Sequence, residues 1–492
     1  MLVTLVACYF AVTICIGFYA ARRVKNSADY LVAGRSLPLH MNTATVFATW
    51  FGAELILAVS STFLKEGLQG VVGDPFGAAF CLIFVALFLA APYYRLKLMT
   101  VGDFYKKRYN RTVELASAAA ISISYLGWSS ANLVALGIVI HTVSGNAITL
   151  EQGIMLGAVI VGIYTLFGGM WSVAFTDLFQ TVIIVAGLIY IAWMLAGMAG
   201  GVDKVVATAQ ASDRLKFFPG ASLHDWLGFI AAFVTMALGS VAQQDVFQRV
   251  TSARTEKIAR QGTLLGGSLY LLMAFIPMFI AVSALLIDPA MVKQMLSNEN
   301  DFQQVLPTLI LQRTPLFAQV LFFGALLSAI LSTASGTLLA PTAVITENVI
   351  QPLWGHKLSD RKMLVLLRLI LIGFTCCVTL FALQSESSMY QMVQDAYKVT
   401  LVAAFTPLVF GMFWRRATPQ GALLSMACGV VAWQYAEHFM SDALVPPQLV
   451  GLGSAIVGMI VGSLAPTLMG GQGHPEIVDQ ARQPEVADNP PA

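Results

Sequence analysis

Residues able to do chemistry are sparse in this sequence. The sharpest pattern lies at 327–336, Leu-Ser-Ala-Ile-Leu-Ser-Thr-Ala-Ser-Gly. Ala329, Ser332 and Thr333 stand at i, i+3 and i+4, so one helix face carries all three. Two hydroxyls and a carbonyl on one face are hard oxygen ligands, suited to a small hard cation. The same spacing also serves close packing, with each hydroxyl bonded back to the carbonyl four residues earlier. Two further segments put polar groups where an apolar run should be unbroken. One is 42–54, ending Trp50-Phe51-Gly52-Ala53-Glu54; the other is 238–245, Leu-Gly-Ser-Val-Ala-Gln-Gln-Asp. Gly weakens a helix locally, and the freed carbonyls then need a partner, which an ion can supply. A carboxylate in hydrocarbon costs roughly 3 kcal/mol on insertion scales, so Glu54 must face protein or water.

Composition shows what carries these segments. Of 492 residues, 57% are apolar and 11% charged, with a mean hydropathy of +0.75. A soluble domain is about 25% charged. The chain is therefore not an ordinary soluble enzyme, a disordered protein or a secreted disulfide scaffold. It requires apolar helices of about 20 residues, the length that crosses a bilayer. A net charge of +2 offers no basic domain to nucleic acid. Six cysteines lie inside apolar runs, without metal-ligand spacing to His, and read as small core residues. Apolar runs fall at 2–20, 40–62, 73–92, 113–142, 152–169, 174–198, 223–247, 261–287, 316–350, 363–383, 388–413, 418–440 and 447–469, about 13 spans.

Charge orients them. With the N-terminus outside, one set of loops carries 20 of the 28 basic residues and the opposite set carries six, with Arg368 and Lys398 inside spans. That asymmetry predicts a multi-pass cell-membrane protein with its N-terminus out and C-terminus in. An odd number of spans agrees. No phosphate-cradling Gly-Lys-Ser/Thr loop occurs, so ATP-driven pumping by this chain is not expected. An enzyme is not expected either: no span shows facing carboxylates, a nucleophile with a base or a His cluster, and His141, His224, His356 and His438 are scattered.

The two interrupted spans are five apart. Five is odd, so corresponding helices run in opposite directions, the pattern of an inverted repeat whose broken helices build a central site. Four segments then resemble the sodium/solute symporter family, in its order: Ala28 to Ser36, Thr100 to Tyr109, Tyr164 to Gln180 around Gly168-Gly169, and Pro407 to Thr418. The resemblance runs from about residue 28 to 425 and is nearest in places to the choline-transporter branch. It implies an all-α integral membrane protein with the LeuT-like fold of two inverted five-helix repeats. The divisions expected are 1–39 for the first helix and loop, 40–198 for repeat one, and 199–222 for an external loop. Repeat two follows at 223–413, two accessory helices at 414–469, and a disordered cytoplasmic tail at 470–492.

Carried over from that family, Na+ is held by the carbonyls of Ala48, Phe51 and Ala329 and the hydroxyls of Ser332 and Thr333, with Asp177 implicated in Na+ release; Asp177 alone also reads as a helix N-cap. The solute-lining positions are Trp50, Glu54, Leu55, Phe76, Met236, Gly239, Ser240 and Gln394. Gln243 stands where the choline branch has Trp, a departure that speaks against choline itself. The function implied is Na+-coupled symport of a small polar solute by alternating access. A membrane nutrient sensor working with a partner chain is the alternative. Glu54 leaves two arrangements open. It faces an amine on the solute, with Trp50 and Phe76 covering it, or it pairs with Lys398 beside a neutral site. Oligomeric state is not legible in the sequence.

Overall fold

A backbone inside hydrocarbon must satisfy its own polar groups, and helices do so within one segment. The structure, a computed structural model, describes residues 2–297, 302–354, 358–385, 387–440, 443–466 and 473–483. We label its principal helices α1 (Leu2–Ala21), α2 (Leu39–Trp50), α3 (Glu54–Gly70), α4 (Val72–Leu96), α5 (Arg111–Val143), α6 (Leu150–Ala199), α7 (Leu223–Ala242), α8 (Gln244–Thr251), α9 (Glu256–Ile287), α10 (Leu316–Leu353), α11 (Asp360–Gln384), α12 (Met389–Phe413), α13 (Pro419–Phe439), α14 (Pro447–Leu464) and α15 (Glu476–Arg482). Among the described residues no strand occurs beyond one isolated bridge, Leu37 with Ala253.

Ten helices are long and apolar enough to cross a bilayer, or eleven if the bent pair α2 and α3 is one span. The count of 13 is not reproduced. The runs at 152–169 and 174–198 both lie within the 50-residue α6, as two helical stretches joined across a kink at Gly169, and so count as one helix by length and composition. The expected twelfth span, α13, carries Gln434, Glu437 and His438 and is not among the ten.

Both expected interruptions are real. α2 stops at Trp50, Phe51 adopts φ −79° and ψ 71°, and the helix resumes as α3 at a bend of 52°. α7 ends in a tight turn, Gln243 is extended with ψ 141°, and α8 continues. Burial sorts the helices around these breaks. In α5, α10 and α12 72% of the apolar window is enclosed by protein, against 17% in α1 and 22% in α11. The outer helices show large apolar side chains, Trp193 at 72% exposure among them, the surface that lipid covers. α13 and α14 pair through small residues, with Gly421 against Ser463 and Gly458 against Leu424.

The tail differs from expectation. Within 470–492, Glu476–Arg482 is helical and docked, with Val478 and Ala481 fully buried, and 484–492 lie outside the described residues. Asp479 pairs with Arg415 at 3.0 Å, Arg482 Nη2 donates to the Phe413 carbonyl, and Arg95 donates to the carbonyls of Ala481 and Arg482. Arg95 also pairs with Glu256 at 2.7 Å, so α4, α9 and α15 meet at one guanidinium. Composition had read this segment as unstructured because it is polar. Its two apolar side chains are enough once fixed partners surround them.

Gly169 is where α6 must turn. Its φ is +49°, and a Cβ there would stand 2.4 Å from the Tyr30 carbonyl oxygen. Gly169→Ala should therefore destabilise the protein by more than about 1 kcal/mol, read as a fall in the thermal midpoint of the purified protein; an unchanged midpoint would refute it.

Candidate ion and solute site

The break between α2 and α3 faces α10. Thr333 Oγ1 lies 3.5 Å from the Ala48 carbonyl oxygen. Na+ has nearly the radius of Ca2+, whose oxygen ligands sit at about 2.4 Å, so two oxygens at that spacing hold one cation at roughly a right angle. Gly52 makes the approach possible: a Cβ there would meet Thr333 Oγ1 at 2.7 Å. Ser332 Oγ donates to Asp177 Oδ1 at 2.5 Å. Its proton thus goes to the carboxylate, and its lone pairs remain for a ligand. Asp177 is fully buried, and its second oxygen, Oδ2, has no hydrogen-bond partner. Ser335 belongs to a different contact, donating to the Ser332 carbonyl at 2.9 Å. Ala48, Phe51, Ala329, Ser332 and Thr333 are all at or below 1% exposure, a dry setting in which hard oxygens hold a small cation. The expected helix-face grouping and Asp177 therefore meet at one place. Asp177 is not an N-cap, since it sits mid-helix in α6.

Arg249 is one of the 20 basic residues that the sequence assigns to the loops on one side. The structure buries it in α8, 2% exposed, with Nε donating to Thr49 Oγ1 at 3.0 Å and its electrostatic reach extending to Asp177 and Asp245. Asp245 takes a hydrogen bond from Tyr125. One buried guanidinium thus lies within electrostatic reach of two buried acids.

The solute-lining set is brought together only in part. Trp50 packs on Trp128 at 5.8 Å and on Tyr397 at 6.1 Å, forming an aromatic wall. Gln394 and Met236 both approach Gly73, and Met236 also approaches Gly77. Gly239 sits against the Tyr397 carbonyl, where a Cβ would be 2.5 Å away. Leu55 is buried beside Glu54. Ser240 is not a free donor, because its hydroxyl bonds back to the Met236 carbonyl at 2.5 Å. Phe76 stands apart from Trp50, packed edge-on against Phe217 at 4.7 Å and Phe275 at 5.9 Å. The pairing of Glu54 with Lys398 does not form. Lys398 Nζ is 2.9 Å from Asp395, one turn away and largely exposed, and 4.0 Å from Glu437. Gln243, at the position of the missing Trp, bonds Ser124 and Thr400.

Three groups escaped sequence reasoning. Asp74 is 3% exposed at the start of α4 and accepts a hydrogen bond from Tyr270 of α9. Tyr270 packs edge-on against Phe51 at 6.2 Å, which ties that pair to the helix break. Tyr397 is 1% exposed, and its hydroxyl has no partner. An acid opening an apolar run was the signal for Asp74; the tyrosines had none beyond their type.

The model of the Sodium:solute symporter family matches residues 30–429. The chain belongs to that family. It is 26% identical over 444 residues to the high-affinity proline transporter PutP of Bacillus subtilis (strain 168), covering 87% of this chain and 91% of that one. It is 23% identical over 437 residues to the human high affinity choline transporter 1, covering 86% and 74%. A Na+-coupled sialic acid symporter in a substrate-bound outward-open state superimposes with a TM-score of 0.79 at 18% identity, covering 94% of this chain and 98% of that one. The fold is thus the LeuT-like one. The protein is a multi-pass membrane transporter, not an enzyme, and couples Na+ to the symport of a small solute.

Ser332→Ala and Thr333→Ala should each raise the Na+ concentration for half-maximal uptake about tenfold, the loss of roughly 1.4 kcal/mol, while Ser335→Ala changes it far less. A Na+ titration of uptake in proteoliposomes decides this. Two silent hydroxyls and a critical Ser335 would remove the assignment.

Proposed function

We propose that this symporter takes up a small organic amine, whose ammonium group faces Glu54. One observation carries the reading. Glu54 follows the helix break, one of its oxygens (Oε1) is enclosed and unpartnered, and no ion pair among the described residues reaches it. A carboxylate so placed needs a positive partner. With Lys398 engaged elsewhere, an ammonium on the solute supplies it. Trp50, Trp128 and Tyr397 give ring faces of the kind that hold such cations. The relatives named as proline and choline transporters handle solutes that carry a positively charged nitrogen, which supports the same chemistry.

In this reading Na+ sits among the Ala48, Phe51 and Ala329 carbonyls and the Ser332 and Thr333 hydroxyls. It steadies α2 against α10, so that the solute side of the break takes its binding shape. Asp177, already holding Ser332, is the next oxygen ligand as the ion leaves. The excess of basic residues in one set of loops supports an N-terminus outside and a C-terminus in the cytoplasm, with the divisions 40–198 and 223–413 rocking against one another around the central site. Each Na+ entering down 100 mV yields about 2.3 kcal/mol, enough to accumulate solute roughly fiftyfold before any chemical gradient of Na+ is added.

Replacing Na+ by K+ at fixed pH should abolish uptake; equal uptake in both salts would end the Na+ assignment. Glu54→Gln should weaken amine binding at least about tenfold while Na+ binding without solute persists, and Lys398→Met should leave amine affinity near wild type. Unchanged affinity in Glu54→Gln, measured by equilibrium binding to the purified protein, would refute the amine reading.

A further inference from the structure

Asp74 brings a second buried carboxyl group beside Glu54. It is buried, it interacts electrostatically with Glu54, and no basic side chain among the described residues pairs with either. The nearby cations are engaged elsewhere: Lys398 with Asp395, Lys65 over the Phe302 ring at 4.1 Å, and Arg249 with Thr49. Tyr270 donates to Asp74 and so fixes the direction of that carboxylate without neutralising it. A single ammonium at Glu54 would leave a second buried charge unpaired, and like charges this close repel.

A second observation is independent of the acids. The Tyr397 hydroxyl is enclosed and has no partner, and it lies within electrostatic reach of Asp245, of Glu54 and of Tyr270. Its ring is held by Trp50 and by Trp128 at 5.5 Å, so the hydroxyl cannot swing away to find a partner. Buried hydroxyls are nearly always satisfied. This one stands where an ammonium N–H would meet its lone pairs. Building on the amine reading of Glu54, we propose that Glu54 and Asp74, with the Tyr270 and Tyr397 hydroxyls, form a two-carboxylate subsite selective for a solute bearing two ammonium groups, a short organic diamine. Asp74 is then the specificity residue, and it receives the second nitrogen.

The test is equilibrium binding of butylamine and 1,4-diaminobutane, equal in carbon number, to the purified full chain in saturating Na+. Wild type should bind the diamine about tenfold more tightly or better. Asp74→Asn should bring the ratio of the two affinities close to one, and Asp74→Glu, which keeps the charge, should retain the preference. Thermal midpoints of both variants confirm folding, and Tyr270→Phe gives a third reading by loosening Asp74 without removing it. Equal wild-type affinities for the two amines, or an Asp74→Asn protein with its preference intact, would overturn this inference and leave the amine reading of Glu54 standing. A loss of one bound Na+ in Asp74→Asn, seen as a lower Na+ Hill slope with no amine preference in wild type, would overturn it in favour of a second ion. Binding of neither amine to wild type would bring down both readings together.

Discussion

An interrupted helix inside a membrane leaves carbonyl oxygens that neither water nor lipid can satisfy, and the rest of this molecule is arranged around that debt. Between Trp50 and Ala53 the chain abandons helical geometry for two residues, Phe51 and Gly52. Just before the break the Ala48 carbonyl lies 3.5 Å from the Thr333 hydroxyl of α10, next to Ser332, whose hydroxyl donates to Asp177. The closeness depends on Gly52, since any side chain there would force α10 away. In the proposed reading, a cation at this point would be the partner that lets α2 stay broken and α10 stay near, so that binding one ion and holding two helices in register would be the same event.

The charges divide into two groups with different solutions. Asp177 and Asp245 share the field of Arg249, and each has a fixed hydroxyl partner, Ser332 and Tyr125. That side is neutralised in part by the protein itself. Glu54 and Asp74 have tyrosine hydroxyls nearby but no ion pair to a guanidinium or ammonium among the described residues. In a low-dielectric interior such an imbalance is costly unless something mobile balances it. In the proposed function, that compensating charge would be the cargo. Trp50 lies between the groups: its backbone belongs to the ion side and its ring to the aromatic wall of the solute side.

At one end of the helices, the small helix α15 shows how polar termini become structure. Arg95 links α4, α9 and α15, while Arg108 donates to the carbonyls of Gly411 and Trp414. Each of these carbonyls closes a helix end that would otherwise be short of donors. The docked tail caps the end of α12 through Arg482, and its own last carbonyls are capped in turn by Arg95 of α4.

Periodicity, apolar run length and the placement of Gly and acid in the second and seventh spans were enough to specify a membrane bundle, two broken helices and the oxygen face of Ala329, Ser332 and Thr333. These are local properties: a bilayer demands about 20 apolar residues per helix, and a carboxylate or glycine within such a run stands out without reference to any neighbour. What local pattern did not contain was partnership. Lys398 lies one turn from Gln394, which made it a candidate counter-charge for Glu54, but the rotation of α12 turns it outward to Asp395. Phe76 shares a span with Asp74, yet its ring joins Phe217 and Phe275 while Asp74 reaches Tyr270, because the backbone at Asp74 is extended (φ −127°, ψ 119°) and sends its side chain off in a different direction from the helix that follows. Ser240 was polar in the right place but spends its proton on its own helix. Which buried acid meets a guanidinium, which meets only tyrosine, and which hydroxyl is left without a partner depend on contacts between residues 200 positions apart and more, such as Thr49 with Arg249 and Ala48 with Thr333. Those contacts are set by how the helices rotate and cross, and only the tertiary structure decides that.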